Sequence, residues 1–280
     1  MNTDEHRPLK SNGRIRGIRE ICGSCNLIEA LALGPREHVA LVGAGGKTTL
    51  LLALTGELAA AGKKVVAGTT TKVWLSEASQ IESVRLIDRE PFWRENLKRD
   101  LDAGRAVFLG RRSLESGKVE GVDPALLDGL FVEENADYFV VEADGSAGHP
   151  VKAPLPHEPV IPCSATMVLA VIGLQALGSL LTPGVVFRAD VFEKITGTRG
   201  GEAITSRCLY RLIGHPEGSF KGTPESSRRV VFLNKADVAP DRKEIEELTR
   251  LILTGGDLQV ERVLVGSLMK RSWEVYKRAA

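Results

Sequence analysis

The apolar residues of this chain gather into short, nearly unbroken runs, each followed by glycine, threonine, asparagine or an acid. VALVG at 39–43, KKVVAGTTT at 63–71 and DYFVVEADG at 137–145 are the clearest. A valine-rich run without polar alternation is what a strand buried on both faces requires. Further strand candidates lie at 83–87 and 105–109, and RRVVFLNKADV and ERVLVGSL supply two more. Between them the spacing changes. After Thr49 the apolar positions Leu50, Ala53, Leu54 and Leu58 recur at helical intervals, and PDRKEIEELTRLIL also reads as a helix. Residues 26–34 read as a short helix before the first strand, 165–177 as a buried helix, and 214–224 as a loop. Strands alternating with helices predict an α/β fold, a mostly parallel sheet with helices on both faces. No internal repeat is visible. Residues 21–280 are expected to form one domain, with extra elements at 80–130, after a flexible segment at 1–20.

Charge and cysteine content narrow the setting. Lysine plus arginine number 37 against 36 acids, and a net charge of +1 offers no field for nucleic acid. The ends are more basic: five Lys/Arg against three acids in 1–20, and four against one in 270–280. Flexible solubilising ends are the expectation for both. No segment has 18 consecutive apolar residues and MNTDEHRPLK lacks an apolar signal core, so a cytoplasmic protein without a membrane partner is expected. Cys22 and Cys25 form a C-x-x-C, the spacing of a redox pair or half a metal site. No second pair follows at ligand spacing, so ordinary packing or surface roles are expected for the cysteines.

The candidate chemistry begins at VALVGAGGKTTLLLAL, residues 39–54. A strand that breaks into glycines and then starts a helix turns unpaired N–H groups outward at a positive helix end, which suits phosphate. Gly43, Ala44, Gly45 and Gly46 would let the backbone approach closely. Lys47 can reach the β- and γ-phosphates, Thr48 can place its hydroxyl on Mg2+, and Thr49 can contact an inner phosphate. The form G-x-x-G-K-T-T is shorter than the full G-x-x-x-x-G-K-[ST], because Leu41 stands where the first glycine would be. The alternative is a tight turn with a surface lysine.

Ligands of open parallel sheets gather beyond the carboxyl ends of the strands. Asp144, at the end of YFVVEA, is placed to hold Mg2+ directly or through water. Glu142, two positions earlier, shares its side of the strand, so the pair can divide metal holding from positioning a nucleophilic water. Alternatively, one carboxylate ties down the GSAGHP loop. Thr70, Thr71 and Lys72 of TTTK (69–72) can read a γ-phosphate or cap the next helix. In LNKADV, Asn234-Lys235-x-Asp237 follows an apolar strand and can read a base. Asp237 can accept from the N1–H and amine of guanine, the Lys235 stem can cover the ring, and Asn234 can brace neighbouring loops. Gly266 and Ser267 of VLVGSL can then close over the base by backbone contact. A polar loop after a buried strand is the plainer reading.

This succession of motifs resembles the YqeC family of selenium-dependent hydroxylase accessory, or selenium cofactor biosynthesis, proteins. The residues that carry the likeness are NLIEALALG, VALVGAGGKTTLLLAL, AGTTTKVW, VVEADGSAGHPVKAP and FLNKAD. The resemblance implies a P-loop NTPase-like fold and a role in maturing molybdenum-containing hydroxylases. It also draws attention to GSAGHPVKAP as a second ligand site. There Lys152 can contact an anion or cofactor phosphate, and His149 and His157 can serve as metal ligands, acid/base groups or plain loop residues.

The cofactors expected are Mg2+ with ATP or GTP, and the partners a cofactor precursor and a molybdenum-containing hydroxylase. Three classes of activity fit: an accessory NTPase, a nucleotide-dependent transferase or ligase, and a nucleotide-regulated binding protein without turnover. Lys47, Glu142 and Asp144 would carry the chemistry in the first two.

Overall fold

Unbroken valine and leucine runs build the centre of the molecule. The computed structural model describes residues 18–22, 25–133, 136–239, 241–256 and 258–278. Ten strands form one sheet: β1 (Ile18–Cys22), β2 (Glu37–Gly43), β3 (Val65–Thr69), β4 (Ser83–Leu86), β5 (Val107–Gly110), β6 (Tyr138–Glu142), β7 (Met167–Gly173), β8 (Arg228–Asn234), β9 (Val260–Ser267) and β10 (Ser272–Arg278). Their order across the sheet is β1-β10-β9-β8-β7-β2-β6-β3-β5-β4. Every pair from β9 to β4 is parallel. β10 runs against both its neighbours.

Helices cover both faces, so alternate residues of a central strand enter different cores. Val39 and Leu41 of β2 pack with α1 (Leu27–Leu31) and α2 (Lys47–Ala60). On the other face, towards β4, α3 (Trp93–Asp102) and α4 (Pro124–Glu133) cover Val66, Val107 and Phe139. Towards β9 that face is covered by α5 (Ala189–Thr196), α6 (Ser206–Gly214) and α7 (Arg242–Thr254), over Ala40, Val168, Val231 and Val263. β2, β6 and β7 are buried along their whole length. Each leucine or valine so buried contributes about 1.5–3 kcal/mol, which fixes the register of the central strands.

Three expectations change. Residues 167–173 are strand β7 and not part of a helix. MVLAVIG is buried on both faces, so it carries neither the helical period nor the two-residue one. The basic C-terminal end is ordered as β10 up to Arg278, because every second side chain of its first half, such as Trp273 and Val275, enters the core. Of the N-terminal segment expected to be flexible, residues 1–17 lie outside the described residues, and Ile18–Glu20 belong to β1. Residues 80–130 hold β4, β5, α3 and part of α4. They also supply two strands of a separate antiparallel sheet in which Lys118–Glu120 pairs with Lys72–Trp74 and with Arg112–Ser113.

His38 on β2 is fully buried against Phe131 and Phe139. Its Nδ1 lies 2.8 Å from Ser164 Oγ, which in turn donates to Asp128 at 2.7 Å. Burial lowers the imidazole pKa to about 4, against the opposing pull of Asp128. The folded protein therefore keeps His38 neutral, while the unfolded chain takes up a proton below about pH 6.5. Stability is complete above that value and falls as pH drops towards 4. Between pH 7.5 and 5 this group alone should cost about 2 kcal/mol in urea unfolding. His38→Asn should flatten that part of the pH dependence; an unchanged slope would show that other groups govern it.

Candidate functional site

Two strand ends meet in register. Leu41 of β2 pairs with Glu142 of β6, so the chain leaving β6 emerges beside the glycine loop that follows β2. In that loop Gly43, Gly45 and Gly46 have φ of 89°, 89° and 132°, a region costly for residues with a Cβ. Space is equally restrictive at Gly45, where a Cβ would lie 2.3 Å from Gly173 N and 2.8 Å from Pro150 O. The Ala44 N–H donates to Val171 O (2.9 Å) and the Gly45 N–H to His149 O (3.1 Å), so the loop lies against β7 and the 144–150 segment. α2 starts at Lys47 without a side-chain cap, which leaves the first-turn N–H groups of Lys47, Thr48 and Thr49 without intrahelical acceptors.

Asp144 closes the loop from the other side. The Gly43 N–H donates to its Oδ2 at 3.1 Å, and Lys47 Nζ lies 3.2 Å from its Oδ1 while donating to Gly43 O at 2.6 Å. Glu142 is buried next to them, and its Oε1 has no partner. Burial pushes the Glu142 carboxyl above the usual carboxylate range, against the pull of Lys47 and of the Thr48 side chain. Lys47, Thr48, Glu142 and Asp144 are thus brought together.

The ion pairs continue beyond Asp144. Lys152 sits on the short strand Val151–Lys152, parallel to Val186–Phe187, and its Nζ is 3.1 Å from Asp144 Oδ2 and 3.0 Å from Glu158 Oε2. Arg188 Nη2 donates to Glu158 Oε1 at 3.2 Å, and its Nη1 pairs with Oε2. Burial would raise the Glu158 carboxyl, but hydrogen bonds from Arg188 and Lys152 outweigh it and hold the pKa at about 2. Glu158 and Arg188 escaped the reading of the sequence. HEP and FRAD carry no spacing that marks them, and only the fold pairs them.

The threonines brace backbone. The Thr69 hydroxyl donates to Glu142 O (3.1 Å) and the Thr70 hydroxyl to Val160 O (2.8 Å), while Thr71 N–H donates to Thr69 Oγ1 (3.0 Å). Lys72 is exposed on the small sheet, opposite Glu120. His149 lies within hydrogen-bond distance of Ser146 O and Pro183 O and packs on Phe187, a loop clamp, whereas His157 is exposed.

Asn234 links three loops. Its Nδ2 donates to Gly45 O at 2.8 Å, and its Oδ1 accepts from the Leu268 N–H at 3.0 Å. Lys235 takes the left-handed conformation (φ 65°), and Asp237 is exposed in the turn Ala236–Val238. Gly266 and Ser267 lie within the strand expected at ERVLVGSL. They end β9, paired with Trp273 and Ser272, and a Cβ on Gly266 would lie 2.2 Å from Ser272 O. The loop beside the glycine turn is Leu268–Arg271.

Among the described residues no group of three His, Cys, Asp or Glu could hold a metal. Two carboxylates and the Thr48 hydroxyl, with the unpartnered Glu142 Oε1, suit a cation that keeps water and phosphate oxygens for its remaining ligands, as Mg2+ does. Against the expectation of ordinary packing or surface roles, Cys25 is disulfide-bonded; Cys163 and Cys208 are free thiols, and the Cys22 side chain lies outside the described residues. No helix among the described residues is long and apolar enough to cross a membrane.

A parallel sheet in which a strand, a glycine loop and a lysine-led helix face a carboxylate from the neighbouring strand defines a P-loop α/β protein. The chain belongs to the YqeC family: the family model (YqeC protein) matches residues 39–190. A relative in Escherichia coli K12, called "Uncharacterized protein YqeC", is 35% identical over 197 residues, 70% of this chain and 75% of that protein. Lys47, Glu142, Asp144, Lys152, Glu158 and Arg188 all fall within the family match, whereas Asn234 and Asp237 lie beyond it. Among solved structures, the hydrogenase maturation factor HypB of Archaeoglobus fulgidus is 15% identical, with 86% of each chain covered and a TM-score of 0.39. HypB of Helicobacter pylori, solved in complex with nickel, is 11% identical over 85% of this chain and 81% of that one, with a TM-score of 0.33. FtsY of Mycoplasma mycoides is 14% identical over 81% of this chain and 60% of that one, at 0.34. At TM-scores this low the likenesses carry no weight.

Asn234→Ala should cost about 1–3 kcal/mol in denaturant unfolding, because it strands the Gly45 carbonyl and the Leu268 N–H in a buried position. A loss within a few tenths of a kcal/mol would mean that water or a neighbour replaces both bonds.

Proposed function

We propose that the protein binds a purine nucleoside triphosphate with Mg2+ at the Gly43–Thr49 loop and hydrolyses it. The observation that carries this reading is the meeting of Lys47 and Thr48, at the start of α2, with Glu142 and Asp144 from the adjacent strand. Such a loop binds polyphosphate through helix-terminal N–H groups and one lysine. Thr48 and Asp144 would hold the metal, which supplies neutralisation of phosphate charge. Glu142, freed from its buried state, would orient the attacking water. Lys47 would leave Asp144 for the phosphates, and Thr49 would contact an inner phosphate.

The base would lie between the 234–237 loop and the Leu268–Arg271 turn, which Asn234 joins to the glycine loop. Asp237, exposed there, favours guanine because adenine lacks the paired N–H donors. The accessory role, in maturing molybdenum- or selenium-dependent hydroxylases, rests on the motifs that resemble that family, and the partner would be such a hydroxylase or its cofactor precursor.

Incubation of the purified protein with Mg2+ and ATP, GTP or CTP, followed for phosphate, pyrophosphate and adducts, tests the activity. Release of phosphate alone is expected; a modified co-substrate would place the protein among transferases or ligases, and binding without turnover would remove the hydrolytic step. Lys47→Ala should weaken Mg·GTP binding more than about tenfold in calorimetry, measured under conditions where the variant is folded. Equal affinity would take the lysine out of the site. Asp237→Asn should lower GTP affinity about five- to a hundredfold and leave ATP little changed. Equal losses for both nucleotides would make Asp237 a structural residue.

A further inference from the structure

Lys152 invites assignment to a phosphate or a second ligand, yet its side chain is 0% exposed and its ammonium lies between two carboxylates. Asp144 is the shared partner of both lysines of the site. Its Oδ2 accepts from the Gly43 N–H and has the Lys152 ammonium at 3.1 Å, its Oδ1 has the Lys47 ammonium at 3.2 Å, and neither ammonium makes a well-formed hydrogen bond to it. We propose that Lys152 is a positioning residue that sets how strongly triphosphate binding depends on a divalent cation. The proposal rests on the triphosphate reading above.

Lys47 can serve a phosphate only by releasing Asp144, and a buried carboxylate stripped of a counter-ion is costly. With a cation present, that lost partner is replaced. Without one, Asp144 faces the incoming negative charge with Lys152 and the Gly43 N–H as its remaining support. Lys152 therefore makes the metal-free complex less unfavourable than it would otherwise be. Its own position is fixed by Glu158, which Arg188 grips with both terminal nitrogens. The far end of the chain is anchored: Arg188 lies 4.7 Å over the Phe187 ring and holds a left-handed backbone (φ 66°) at the start of α5. The order Lys47–Asp144–Lys152–Glu158–Arg188 alternates in sign, so each charge is set by the next.

The test is a pair of GTP dissociation constants, one with Mg2+ and one with EDTA, measured by calorimetry for the parent, Lys152→Met, Lys152→Arg and Glu158→Gln. Lys152→Met should raise the EDTA constant more than the Mg2+ constant, widening their ratio by about tenfold or more. Lys152→Arg, which keeps the charge, should restore the parent ratio to within about threefold. Glu158→Gln leaves Lys152 wholly to Asp144 and should narrow the ratio, a prediction that holds even where Lys152→Met fails to fold. A purely structural Lys152 would weaken both constants alike, and an unchanged ratio in Lys152→Met or Glu158→Gln overturns the proposal. A parent protein that binds no triphosphate in either buffer would instead overturn the nucleotide reading on which it stands.

Discussion

The bond from the Gly43 N–H to the Asp144 carboxylate joins the two chain segments on which the site depends. β2 and β6 are parallel neighbours whose last register pair is Leu41 and Glu142, so beyond it the strand ladder no longer holds the departing segments together. Asp144 does so while buried, and a buried anion persists only with counter-charges and donors around it. Lys47 comes from the helix that β2 feeds, and Lys152 from the segment that β6 feeds. Removing one partner from such a cluster typically costs about 3–5 kcal/mol, which makes the loop's shape and the position of the 144–160 segment interdependent.

Close packing of small residues makes that arrangement rigid. Gly45 sits against Gly173 with no room for a methyl group, and Pro150 O accepts the Gly173 N–H (2.9 Å) on the same side. The glycine loop is therefore held by β7, by the 144–150 segment and by Asn234 at once. Few degrees of freedom are left to be frozen when a ligand arrives, and binding free energy is lost mainly where groups must be ordered.

Much of this was legible in the residues. The runs at β2, β6 and β8 announce buried parallel strands because burial on both faces leaves no polar position within them, and GAGGKTT announces a strand-to-helix turn. β7 was not legible as a strand, since MVLAVIG has the same pattern in a buried helix. β10 was hidden by its charges: Lys277 and Arg278 look like a tail, but Trp273 and Val275 anchor the segment from the core. Lys47, Thr48, Glu142 and Asp144 could be grouped because strand ends in a parallel sheet gather at one edge. The Lys152–Glu158–Arg188 pairing could not, because it depends on the register between Val151–Lys152 and Val186–Phe187, two short strands that no periodicity reveals. Gly266 lies inside the strand that ERVLVGSL announces, where it lets β10 pack closely on β9.

The reversed strand next to the sheet's edge has a topological consequence. β10 pairs with β1 so that Ile18 and Arg278 are register partners, which brings two ends of the described chain side by side. A short linker could join them without spanning the protein, and the chain could then be opened elsewhere, at the exposed turn near Gly104. The order in which the strands are synthesised is thus separable from the order in which they lie in the sheet, and the glycine loop with its carboxylate would be assembled from either end of the sequence.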